Sequence, residues 1–281
     1  MAVAIVGKTN SKPKIFLTPY PLPLGVFMSL SFDVLWLNVS PSLKRFDQPL
    51  LRYLSEHLTV AQWEYSQSDD EASSLETAVG LLHDFLKCRQ RPVHLAGHGL
   101  SGVLGLTYAR LYPEQVQSLT LLSVAAQPAI TWQAHYYVQR QLIACSRQQL
   151  LACVIRSLFG QQLPYGIKAL VTSLERDLEE APSPHSLFRL AHLPRGGVTM
   201  PLMVCGSKTD PVVHPPALQE WLECFKSDDT LWQCPDGHHF FHYFYPEAVG
   251  EQLLQFWRCL EVQHPVRLPP LLSNHCPARP D

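Results

Sequence analysis

The sequence predicts an α/β fold: a mostly parallel central sheet with helices on both faces and a helical cap inserted into it. Three observations predict this. From Val34 onward, short apolar runs alternate with amphipathic stretches of helical period, the pattern of repeated strand–helix–strand units. At Val93–Gly102 a strand, a glycine turn and a helix start follow one another without a gap. From about residue 126 to 200 the strand pattern stops, and it resumes at Pro201.

Taken in order, Lys14–Thr18 and Val26–Leu30 read as an entry hairpin, and Val34–Asn38 as a buried strand. Asp47–His57 reads as a helix with Leu50, Leu51 and Leu54 on one face, and Thr59–Tyr65 as the next strand. Ser73-Ser74-Leu75-Glu76 supplies a capping box for a helix that places Leu75, Ala78, Val79, Leu82 and Leu86 together. Val93–Ala96 is a strand, Leu100–Leu111 its helix, stopped before Pro113, and Leu119–Val124 the strand after it. Helices follow around Trp132–Cys145, Arg147–Phe159 and Ile167–Glu179, broken at Gly160, Pro164, Pro182 and Pro184. Strands return at Pro201–Cys205 and Thr230–Cys234. The last helix opens at Pro246 and buries Val249, Leu253, Phe256, Trp257 and Leu260. The implied organisation is an N-terminal part of the core at 1–125, a helical cap at 126–200, the rest of the core at 201–264, and a Pro-rich, disordered tail at 265–281.

Composition narrows the function. A formal net charge of −2 gives no electrostatic argument for nucleic acid or an anionic membrane surface. No apolar run reaches the ~20 residues that span a bilayer, and the start lacks the basic n-region and long apolar core of a secretory leader. The eight cysteines include no Cys-x-x-Cys pair, so neither a zinc site nor a disulfide framework is expected. A cytoplasmic setting is the default, and no cofactor is called for.

Chemistry concentrates in three motifs. The first is Gly97-His98-Gly99-Leu100-Ser101-Gly102, continued by Tyr108-Ala109-Arg110-Leu111-Tyr112-Pro113-Glu114 and Ser118-Leu119-Thr120-Leu121. Its strand–turn–helix setting is that of a Gly-x-Ser-x-Gly nucleophile elbow, with glycine at the apex. The second is Val204-Cys205-Gly206-Ser207-Lys208-Thr209-Asp210-Pro211-Val212-Val213, and the third is Gly237-His238-His239-Phe240-Phe241 followed by Pro246-Glu247. On these motifs, in this order, the chain resembles the α/β-hydrolase fold family over roughly Val34 to Leu260. The resemblance implies an acidic triad member at Asp210. It also implies a histidine seven residues before Pro-Glu, which selects His239 over His238. The family's nucleophile is Ser, Asp or Cys; here the position is vacant at Gly99. Its oxyanion loop often reads His-Gly, where this chain has Asn38-Val39-Ser40-Pro41, so the backbone N–H groups of Ser40 and Leu100 are the candidate oxyanion hole.

Ser101 is a poor substitute nucleophile. Two residues along a helix rotate its side chain by ~200° from the apex direction, and a small residue is needed there for helix–sheet packing. His238, His239 and His242 suggest a metal, but they lie in a loop or short turn without a nearby Asp, Glu or Cys that would obviously complete a site, so none is expected. Trp132, Tyr136 and Tyr137 recur at helical spacing in the cap, where they pack the cap or line an apolar pocket. Phe240, Phe241, Tyr243, Phe244 and Tyr245 lodge their loop against the core. The leading expectation is a protein of this fold without acyl-enzyme chemistry, binding a small apolar molecule or a protein partner. The alternative is a cofactor-independent hydrolase or lyase in which Asp210 orients His239 as a general base on water or substrate. An ordinary serine esterase ranks last.

Overall fold

The structure, a computed structural model, describes residues 2–7, 32–66, 74–186 and 188–263. Six parallel strands form the sheet: β2 (Val34–Asn38), β3 (Val60–Tyr65), β4 (Val93–His98), β5 (Val116–Leu122), β6 (Leu202–Ser207) and β7 (Thr230–Cys234). An antiparallel edge strand, β1 (Ala2–Gly7), pairs with β3, giving the order β1-β3-β2-β4-β5-β6-β7. The sequence reading had no strand at Ala2–Gly7. The expected strands at Lys14–Thr18 and Val26–Leu30, and the tail at 265–281, lie outside the described residues.

Alternation along the strands divides the interior into two cores, as expected of a parallel sheet covered on both faces. Leu35 and Leu37 of β2 join Leu95, Leu119 and Val204 under α2 (Leu75–Leu86) and α3 (Leu100–Leu111). Their neighbours Val34 and Trp36 join Ala96, Leu122 and Cys205 under α1 (Gln48–Ser55) and α9 (Pro246–Gln263). The helix starts follow local chemistry. Prolines sit in the first turn of α1 and at the first residue of α9, where the missing N–H has no intrahelical partner to lose. The cap of α2 is Ser74, which accepts from the Thr77 amide at 3.1 Å, one residue later than the expected box on Ser73. A full capping box instead starts α5 (Arg147–Phe159), between Ser146 and Gln149.

Between β5 and β6 the chain runs through three helices, α4 (Trp132–Leu142), α5 and α6 (Ile167–Glu180). Leu150, Leu151, Val154, Ile155, Leu158, Leu170 and Leu174 are buried and belong to the same apolar cluster as the α2–α3 face of the sheet. After β6 come the short α7 (Pro215–Gln219), β7 and the single-turn α8 (Phe241–Phe244). The C-terminal ends of β4, β5 and β6, with the loop before α8, all open toward this insertion side and carry the polar residues of the site. No helix among the described residues is long and apolar enough to cross a membrane.

Candidate functional site

Gly99 forms the apex between β4 and α3 with φ 52° and ψ −123°, a left-handed backbone that glycine adopts without steric penalty. The turn is also tight. A Cβ on Gly102 would lie 2.6 Å from Val124 Cγ2 and 2.8 Å from the Gly97 carbonyl oxygen, so only glycine lets α3 approach the end of β4. Ser101 lines the space above the apex, and its buried hydroxyl accepts a 3.0 Å hydrogen bond from the Val39 amide. It thereby ties α3 to the loop after β2, a role beyond the small packing residue expected at that position.

His239 and Asp210 meet beside this apex. Nδ1 of His239 donates to Asp210 Oδ2 at 2.9 Å, with both side chains essentially inaccessible to solvent. Asp210 Oδ1 accepts from the amides of Val212 and Val213 at 2.8 and 3.1 Å. Burial works to raise the Asp210 pKa, but the His239 ring and these amides outweigh it and hold the carboxyl below its ordinary value. The Ser123 hydroxyl lies 3.1 Å from Asp210 Oδ2 and 3.0 Å from the His239 carbonyl oxygen, sharing its proton between them. Ser123 follows β5 with φ 49°; sequence reading passed over it, although a polar residue directly after a strand at this end of the sheet was the available signal. His239 Nε2 is buried without a protein partner. His238 turns outward, its Nδ1 3.7 Å from Asp236 Oδ1 and its amide bonded to Thr209 Oγ1.

A second polar group lies against the first. Asp47, just before α1, accepts from Trp36 Nε1 at 3.0 Å through Oδ2 and from His242 Nε2 at 2.9 Å through Oδ1. His98, at the end of β4, donates from Nε2 to the His239 carbonyl at 2.9 Å. Its ring centroid is 4.5 Å from that of His242 and 4.8 Å from that of His239. Burial pushes the Asp47 carboxyl up to about 6 and His242 down to about 3. It also takes His98 well below the usual histidine range, helped by its two histidine neighbours. Contrary to the sequence-based expectation, His242 has an acidic neighbour, supplied from 195 positions earlier in the chain. One potential ligand atom each from Asp47, His98 and His242 lie within 4.8 Å of one another.

The void above Gly99 measures about 20 Å³ and is lined by Ser40, Asp47, His98, Gly99, Leu100, Trp132 and His239, among others. That is room for about one water molecule. Of the three aromatic residues expected to line a pocket, Trp132 borders the void. Tyr136 is buried in the core, and the half-buried Tyr137 packs edge-on against it at 5.3 Å. Trp132 is fixed by Asp177 of α6, whose Oδ2 accepts from Trp132 Nε1 at 3.1 Å and Gln133 Nε2 at 2.8 Å. Burial raises the Asp177 pKa to about 7 against the hydrogen bonds of Ser40, Gln133 and Trp132. The proposed oxyanion donors differ in their fates. Leu100 opens α3, so its N–H has no intrahelical acceptor. The Ser40 N–H is instead committed to Asn38 Oδ1 at 2.9 Å, an Asx turn that replaces the His-Gly geometry.

The comparisons agree with this architecture. A model of the alpha/beta hydrolase family matches residues 35–252. An uncharacterized protein of Nostoc sp. (strain PCC 7120), alr2406, is 55% identical over 248 residues, covering 88% of this chain and 99% of the relative. A second, sll0249 of Synechocystis sp. (strain PCC 6803), is 41% identical over 230 residues, covering 82% and 92%. Among solved structures, a thermophilic esterase from Thermogutta terrifontis superposes with a TM-score of 0.63 at 16% identity, covering 82% of this chain and 90% of that one. With most of its length matched by the family and the polar residues gathered at the ends of its parallel strands, this chain belongs to the alpha/beta hydrolase family.

Proposed function

We propose that this chain is a non-hydrolytic member of its family that retains the Asp210–His239 pair but performs no acyl-enzyme chemistry. The observation that carries the reading is the apex itself. Gly99 offers no attacking atom, and the void of about 20 Å³ above it leaves little room for an acyl group. Ser101 also lines the void, but its hydroxyl is committed to the Val39 amide and it stands two residues into the helix from the apex that His239 faces. Of the two binding roles expected from sequence, the narrow void offers little space for a small apolar molecule, which favours a protein partner. The three-helix insertion, acting as a cap fixed through Asp177, offers the end of α4 for contact. There Val138, Leu142 and Ile143 are exposed. A reducing, cytoplasmic setting is part of the same proposal and is supported by the seven described cysteines, all free.

A second reading is favoured by one observation. His239 Nε2 is buried, bare and adjacent to the void, the arrangement of a general base oriented by Asp210 toward water. The test of both is reactivity. Purified protein should hydrolyse short p-nitrophenyl esters no faster than buffer and remain unlabelled by a fluorophosphonate. Turnover that is lost in His239→Ala and kept in Ser101→Ala would favour the second reading. Stoichiometric labelling lost in Ser101→Ala would overturn the first.

A further inference from the structure

We propose that Asp47, His98 and His242 form a site for one divalent transition-metal ion, best matched by zinc. Three separate elements deliver these side chains: the turn before α1, the end of β4 and the single turn of α8. Two imidazoles and a carboxylate are a ligand set that zinc takes with water in the fourth position. The Oδ1–Nε2 separation of 2.9 Å between Asp47 and His242 is close to the ~3.3 Å edge of a tetrahedral site with 2.0–2.1 Å bonds. His98, within 4.8 Å, has to be drawn in by at most roughly 1.5 Å.

Independent features point to an ion. Supporting hydrogen bonds that orient metal ligands are in place for two of the three. Trp36 Nε1 holds Asp47 Oδ2, while the His239 carbonyl accepts from His98 Nε2 and leaves a lone pair on the other ring nitrogen. Asp47 Oδ1 accepts from His242 Nε2, so an ion bound to both atoms replaces that proton, which passes to the unpartnered His242 Nδ1. The charge balance also asks for a cation. The Asp47 carboxylate is buried, and the side-chain donors that bond it are Trp36 and His242. Neither is a fixed positive charge, and buried carboxylates are costly without compensation. Finally, Asp47 and His98 line the same water-sized void as His239, whose Nε2 has no protein partner. The void suits a water bound to the ion.

The inference does not depend on the non-hydrolytic reading, and its test does not use activity. The metal-stripped full chain is titrated with Zn²⁺ by calorimetry and with Co²⁺ by visible absorption. One ion per chain is expected, with the intense d–d bands of low-coordinate Co²⁺. Asp47→Asn and His98→Gln preserve size and hydrogen bonding, and each should weaken binding by about 100-fold, the upper range seen even for outer-shell changes. His238→Gln, on the exposed neighbour, should leave affinity unchanged. Absence of saturable binding, or equal affinity in wild type, Asp47→Asn and His98→Gln, would overturn the proposal.

Discussion

Nε2 of His239 lies 3.7 Å from the point that a Cβ on Gly99 would occupy. The histidine is thus aimed at a nucleophile position in which the side chain alone is missing. This relationship separates two effects of substitution at Gly99, because the added carbon meets only ordinary van der Waals contact and the penalty is confined to the backbone.

Gly99→Ala should therefore fold and lose about 1–3 kcal/mol, the range for a non-glycine residue held in a sparsely populated backbone region. Thermal unfolding checks it, at roughly 2–4 °C per kcal/mol for a domain of this size. An unchanged melting temperature would mean that the apex is not held at positive φ.

Ser101→Ala removes the acceptor for the Val39 amide and leaves a buried donor unpaired. A loss of about 1–3 kcal/mol is expected, measured by urea unfolding, with no change in reactivity toward fluorophosphonate. A stability-neutral Ser101→Ala would contradict the structural role given to this hydroxyl.

Asp177 gives a pH dependence. Its folded pKa of about 7 lies above the ordinary value of 3.8, so the folded chain holds a proton that the unfolded chain has released. Its contribution to stability is present below about pH 4 and is lost as pH rises to about 7, at about 1.4 kcal/mol per pH unit while that difference persists. Asp177→Asn keeps an acceptor for Trp132 and Gln133 and should flatten stability between about pH 4 and pH 7. Denaturant midpoints across that interval measure it, and an unaltered slope in the variant would place the pH dependence elsewhere.

The division between what the sequence showed and what it hid follows chain separation. Helical period and strand alternation are local, so β2 through β7 and the long helices were legible. The Gly97–Gly102 turn was legible too, because the close approach of Gly97 and Gly102 to each other's backbone is a demand made within six residues, although Gly102 also answers to Val124. Ser74 in place of Ser73 as the cap is a one-residue error between two adjacent serines with the same chemistry. The Asp210–His239 contact came from family order rather than from pattern. The Asp47–His242 bond had no such guide, since nothing local distinguishes Asp47 from any helix-preceding aspartate. The Asp177 contact with Trp132 and Gln133 was hidden for the same reason: α6 reads as an amphipathic helix whose one buried carboxylate looks like a surface residue. The Asn38–Ser40 turn was a local signal that the comparison with an expected His-Gly loop obscured.

The central claim, a hydrolase frame that keeps its Asp210–His239 pair and lacks its attacking atom, is tested most directly by fluorophosphonate labelling of wild type, Gly99→Ser and Gly99→Ser/His239→Ala, read by intact mass. With its Cβ 3.7 Å from His239 Nε2, a serine at position 99 brings its hydroxyl within about 3 Å of the base. The account predicts no labelling of wild type. It predicts slow labelling of Gly99→Ser, limited by the narrow void beside Trp132 and by the committed Ser40 amide, and none once His239 is removed. A labelled wild type, or a folded Gly99→Ser that stays unlabelled, would contradict it.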